Sequence, residues 1–377
     1  MSFLTVTTTA AKRQYRQISD FVELFSEESV KNHARGEKRK GNVQERLSAV
    51  PCLLSASENV NRERLRATIS SRSFGQSLDE IDGKYDPIIC GEHTMSQNHF
   101  TLSFPLKSPA DAKVLAELLP PLMPTVFQAA DAIGKIHYSR FTVLSDKTLL
   151  FLGDFDGEFS QLMTDLAVHS GPVFDAIFQH VESPPPTPTA NHAGAFVEWT
   201  TEHLLTAVNL YTAYPDVTAK EIKALASAAD INGVGELHPF LVILPMKSKI
   251  AFIEVQLILR ARGHGTTKDL DKVGTPHFAQ FVLLEDNQVG FFTVYDGSFD
   301  RYISDFTKNI GPVFDLLFKF TKGAPPSPCR KYLQEFIDFA AGANRTPIGF
   351  YQAYPGLSVQ DIHALIADTK SQAASAA

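Results

Sequence analysis

Apolar positions along this chain switch between two spacings, and the switches outline its elements. His99 to Phe104 is short, β-branched and aromatic and stops at Pro105, as a strand does. Ala110 to Ala132 carries Ala, Leu and Val at helical spacing but contains Pro120, Pro121 and Pro124, so a helix in two pieces is predicted. Ile136 to Leu144 and Thr148 to Phe155 are apolar runs of strand length that meet at Ser145-Asp146-Lys147, the pattern of a hairpin. Phe159, Leu162, Met163 and Leu166 fall at i, i+3, i+4 and i+7, one face of a helix. Gly171-Pro172 is expected to stop that helix and start another, because proline is tolerated in a first turn and not inside. The prolines between Ser183 and Pro188 form a stiff connector. A strand ending at Ala213-Tyr214-Pro215 and a helix opening at Asp216 complete the series.

The series then recurs at a constant shift of 140 residues, as from His137 to His277. Phe104 to Ser108 returns as Leu244 to Ser248, Asp156-Gly157 as Asp296-Gly297, Gly171 to Asp175 as Gly311 to Asp315, and Ala213-Tyr214-Pro215 as Ala353-Tyr354-Pro355. The second hairpin meets at Glu285-Asp286-Asn287, and a second proline connector spans Ala324 to Pro328. A period this long marks duplicated domains rather than a solenoid. The expected organisation is an N-terminal arm and packing extension over 1–95, a first repeat over 96–228 and a second over 236–370. A β-α-β-β-α-β order in each copy is the ferredoxin-like pattern. Strands such as Thr148 to Leu152 are apolar on both sides, so the face not covered by helices must meet another sheet, here the other copy's. The predicted fold class is α+β, two tandem ferredoxin-like repeats packed sheet to sheet as an intrachain α+β barrel. In this the sequence resembles the dimeric α+β barrel superfamily over roughly 96–370. Members with tandem copies, including dye-decolorising peroxidases and chlorite-dismutase-like proteins, hold haem.

Composition narrows the classes. Of 377 residues, 44% are apolar and 20% charged, and the formal charge is −7, which gives a nucleic-acid partner no field to follow. Cys52, Cys90 and Cys329 are an odd number without C-x-x-C spacing, so no disulfide framework or zinc site is indicated. The absence of a long apolar run leads to an expectation of no transmembrane segment and a cytoplasmic location. No Walker A, H-E-x-x-H or G-x-S-x-G motif occurs, which lowers support for nucleotide-dependent enzymes, zinc proteases and serine hydrolases.

A two-residue turn at Asp146-Lys147 would set His137 opposite Asp156, and one at Asp286-Asn287 would set His277 opposite Asp296. Opposed side chains stand about 5 Å apart, close enough for an imidazole to donate to a carboxylate. Such a pairing orients histidines at metal and haem sites. The same residues also read as structure, each aspartate capping the helix that follows and each histidine closing a hairpin end. A one-residue slip in register would separate the pairs. Arg140, whose counterpart is Gln280, either points into a polar cavity or snorkels to solvent.

Gly153-Asp154-Phe155-Asp156-Gly157 fits the G-x-x-D-G pattern of the dye-decolorising peroxidases, although the second copy has Thr293 in place of the first glycine. No His followed by Arg stands downstream at that family's interval, His238 with Arg260 being the nearest approximation. The resemblance implies Asp156 as a distal acid with an arginine beside it. The expected function is a haem-binding, peroxidase-like oxidoreductase acting on a small molecule in a cavity between the repeats. His277 is the expected metal ligand, oriented by Asp296, with His137 also at the cofactor and Asp156 and Arg140 as the catalytic pair. His137 and Arg140 should lie on opposite faces of one strand, so one of them alone should face that cavity. The alternatives are a non-catalytic binder of an apolar molecule in the same cavity, and a scaffold whose barrel is filled.

Overall fold

In a computed structural model that describes residues 97–231 and 233–376, the chain forms two four-stranded antiparallel sheets. The first repeat runs β1 (Gln97–Pro105), α1 (Pro109–Ile133), β2 (Ile136–Ser145), β3 (Thr148–Asp156), α2 (Phe159–Phe178), α3 (Ala193–Glu202), β4 (Ala207–Thr212) and α4 (Ala219–Ala228). The second runs β5 (Leu237–Pro245), α5 (Lys249–Val273), β6 (Pro276–Leu284), β7 (Gln288–Asp296), α6 (Phe299–Phe318), α7 (Leu333–Ala343), β8 (Ile348–Gln352) and α8 (Val359–Ala376). The arm expected over 1–95 lies outside the described residues.

The sheets have the orders β1-β3-β2-β8 and β4-β6-β7-β5, so the last strand of each repeat belongs to the sheet of the other. Each crossing strand begins at home. Leu204 bridges Leu102 of β1 and Leu205 N donates to Thr101 O at 2.8 Å; the chain then passes to β6, where Ala207 pairs with Val282. Asn344 likewise bridges Val242 of β5, after which β8 pairs with β2. These bridges join the two sheets at one point on each side, so that the eight strands close as a barrel.

Alternation along the strands divides the core. Phe141 and Phe151 point outward under the helices of the first repeat, their rings stacked at 4.4 Å, whereas Leu150 and Leu152 point inward to meet Leu241, Val282 and Phe292. The space between the sheets, expected to be a ligand cavity, is filled by side chains: Leu150, Val282 and Phe292 are fully buried, and so are Tyr138, Thr101 and His277.

The prolines do not break the helices as the sequence suggested. Pro120, Pro121 and Pro124 all lie on the exposed face of the single helix α1, where the carbonyls they leave unbonded face water, while Leu115, Leu119, Met123 and Val126 bury the opposite stripe. Pro172 and Pro312 likewise sit on the exposed faces of unbroken helices. At Pro312 a further compensation is visible: Arg330 donates through Nη2 to Lys308 O, the carbonyl that a residue with an N–H at 312 would have engaged. Helices α3 and α7 were not anticipated behind their proline connectors, although Phe196, Trp199 and Thr200 carry the i, i+3, i+4 signal.

Candidate functional site

His137 bonds Asp156 and His277 stands beside Asp296 at a longer distance, and the four residues belong to one buried network at the junction of the two repeats. His137 Nε2 lies 2.9 Å from Asp156 Oδ1, and its Nδ1 lies 2.7 Å from the Tyr354 hydroxyl. In the second sheet His277 Nδ1 lies 2.8 Å from the Tyr214 hydroxyl, while its Nε2 stands 3.4 Å from Asp296 Oδ2. The two tyrosines, equivalent by the repeat, join the halves through hydroxyls 2.9 Å apart. Burial drives both phenols well above their usual pKa and pushes His277 toward its neutral form, with Asp296 opposing the latter.

The pairs meet through a register different from the simple one. Ser145 pairs with Thr148 as expected, but a bulge at Leu144 shifts the ladder so that Tyr138 lies opposite Asp154, where the simple register would put Ser139, and His137 is no longer the ladder partner of Asp156. The second turn has three residues, Glu285 to Asn287, and Phe278 faces Val294. In each hairpin the histidine is itself the bulged residue, and this extra residue returns its ring to the aspartate. The bulge also removes the expected conflict of direction, since the strand delivers both His137 and Arg140 to the barrel interior. The repeated Ala-Tyr-Pro is now explained. Ala353 N donates to His137 O at 2.9 Å and Ala213 N to His277 O at 3.0 Å, which carries the following tyrosine to the imidazole.

The aspartates are also helix caps, though not of the helices that follow them. Asp156 Oδ2 accepts from Ala219 N and Asp296 Oδ2 from Val359 N, each at 2.8 Å, so they cap α4 and α8. Asp156 is therefore engaged on both oxygens and does not meet Arg140 as a distal pair. Arg140 is 5% exposed and reaches across the barrel to Phe240 O at 3.3 Å. Burial pushes its pKa down to about 10, and the carboxylate opposing this is Asp154, not Asp156. Asp154 in turn holds His99 Nδ1 at 3.0 Å, a polar contact that sequence reasoning missed because His99 was read as strand alone.

Haem does not fit this arrangement. Both nitrogens of His137 are engaged, and Nδ1 of His277 meets two hydroxyls, Tyr214 and Tyr138, the latter at 3.1 Å. A metal–nitrogen bond of about 2 Å from the remaining Nε2 would run into the Asp296 carboxylate, which is fixed by the start of α8. Among the described residues no group of three or more His, Cys, Asp or Glu side chains is placed to hold a metal. The full chain reconstituted with haem is expected to show no Soret band of histidine-ligated iron; such a band, lost in His277→Ala, would overturn this conclusion.

Gly153 of the G-x-x-D-G pattern has a packing explanation. A Cβ there would lie 2.6 Å from Tyr138 O and 2.9 Å from the Phe100 ring. Gly153→Ala is expected to lower stability by about 2 kcal/mol, the ordinary cost of overpacking; a urea midpoint within error of the parent would contradict this.

No family model and no curated protein matches the chain. Among solved structures it is similar to a candidate monooxygenase from Fusobacterium nucleatum, with 10% identity over 70% of this chain and 97% of that one at a TM-score of 0.31. It is also similar to an anthrone oxidase-like protein (13%, 70% and 95%, TM-score 0.28) and a candidate monooxygenase from Lactobacillus acidophilus (10%, 68% and 97%, TM-score 0.23). The fold assignment rests on the strand order: two ferredoxin-like repeats in tandem, closed as an α+β barrel. Among the described residues no helix is long and apolar enough to cross a membrane.

Proposed function

We propose that the chain binds a flat, apolar small molecule, and that it does so beneath the helices of the second repeat rather than between the sheets. The observation that carries this reading is a pair of adjoining apolar gaps there, each with room for about one water-sized group, which share Phe291 and Phe314 as a common wall that a ligand would have to part. One is lined by Ala279, Phe281 and Val313, the other by Phe240, Leu244, Tyr302, Phe336 and Phe339. The shared rings meet edge to face at 5.5 Å, and their parting would join the two spaces. Tyr302 supplies a polar anchor: its hydroxyl is buried beside Thr293 without a well-formed hydrogen bond, an arrangement that a ligand oxygen would relieve.

Comparison of the repeats supports the placement. Trp199 of the first repeat packs against Phe104 and Phe178 at ring distances of 5.2 and 5.3 Å. Its counterpart is Phe339, and those of Phe104 and Thr200 are Leu244 and Ala340, so the second layer has smaller groups where the first is filled.

The test is titration of the full chain with a fluorescent apolar probe such as N-phenylnaphthylamine. Saturable binding is expected in the parent and its loss in Leu244→Phe/Phe339→Trp, which rebuilds the filled layer and should add about 1 kcal/mol of stability as cavity filling does. Undiminished binding by the double variant would refute the site.

A further inference from the structure

We infer that Asp156–His137–Tyr354–Tyr214–His277–Asp296 is a directional proton relay, polarised from His277 toward His137. The inference comes from counting protons. Between the two Nδ1 atoms lie three contacts of 2.7, 2.9 and 2.8 Å, and each hydrogen bond requires one proton. The two bridging hydroxyls supply two. The third must come from a histidine Nδ1, so the two histidines cannot share a tautomer although the repeat makes them equivalent.

Geometry decides which histidine supplies it. His137 Nε2 faces Asp156 Oδ1 at 2.9 Å, a distance that requires a proton between them. His277 Nε2 makes no well-directed hydrogen bond and stands 3.4 Å from Asp296 Oδ2, the longer of the two His–Asp contacts, so the third proton is assigned to its Nδ1. His277 is therefore the Nδ1–H tautomer and His137 the Nε2–H tautomer. The symmetry is broken by Tyr138, whose hydroxyl gives the Nδ1–H of His277 a second acceptor at 3.1 Å. Its counterpart beside His137 is Phe278, which has no hydroxyl.

A proton bound at His277 Nε2 releases the Nδ1 proton to Tyr214. Tyr214 passes its own to Tyr354, Tyr354 its own to His137 Nδ1, and the Nε2 proton of His137 goes to Asp156. One proton is taken up, one is delivered, and each hydroxyl ends with a single proton. The ends of the chain reach the surface, with the Asp296 and Asp156 side chains 14% and 9% exposed, whereas both imidazoles are fully buried.

The experiment is ¹⁵N NMR of the histidine side chains in the full chain and in Tyr214→Phe. In the parent, His277 is expected to show a pyrrole-type Nδ1 and pyridine-type Nε2, and His137 the reverse. In Tyr214→Phe, Tyr138 becomes the donor to His277, which should switch to Nε2–H while His137 stays as it was. Two Nε2–H histidines in the parent would overturn the relay even if the variant did not fold, and so would a His277 tautomer unmoved by Tyr214→Phe.

Discussion

Asp156→Ala is expected to destabilise the chain by about 3 kcal/mol, whereas the equivalent Asp296→Ala should cost about 1 kcal/mol. Asp156 accepts from a fully buried imidazole at 2.9 Å and from the first backbone N–H of α4, so its removal leaves two donors without partners. Asp296 keeps the cap of α8, but its histidine stands at 3.4 Å without a hydrogen bond. Urea unfolding of the two variants measures the difference. Equal losses would show that the symmetry of the sequence, rather than the asymmetry of the contacts, governs the junction.

Removal of residues 347–377 is expected to have the largest effect of all, and to have it in the first repeat. This deletion takes β8 from the edge of β2, Tyr354 from His137, and Tyr351 from Asp131 of α1. A bare strand edge and an imidazole without its hydroxyl partner together exceed about 5 kcal/mol, comparable to the whole stability of many domains. Trp199, the chain's one tryptophan, lies in the helix layer of the first repeat and reports on it. Its fluorescence should show no cooperative transition in the shortened chain; a transition matching that of the full chain would mean the first repeat stands without its borrowed strand.

Much of this was legible in the sequence, and the failures share a cause. The duplication, the hairpins and the proximity of His137 to Asp156 follow from local pattern. Register did not, because bulges at Leu144 and His137 leave the alternation of apolar residues on either side intact. Helices running through Pro120 and Pro172 were missed because proline's cost was weighed without knowing that each faces water. The exchange of β4 and β8 could not be read at all: Leu204 and Leu205 pair with their own β1 before the chain crosses, and periodicity does not record which sheet a strand joins. The filled barrel was misjudged as a cavity for the same reason, since Leu150 and Phe292 meet only once the sheets face each other.

The central claim is that each repeat completes its sheet with the other's last strand, and a cross-link tests it directly. Ala207 of β4 and Val282 of β6 are register partners in the second sheet. Opposed positions about 5 Å apart lie within the Cα range a disulfide spans. In Ala207→Cys/Val282→Cys, oxidation of the native chain should form the 207–282 disulfide in good yield, identified by peptide mapping. Failure of that link to form in folded protein would contradict the exchanged barrel.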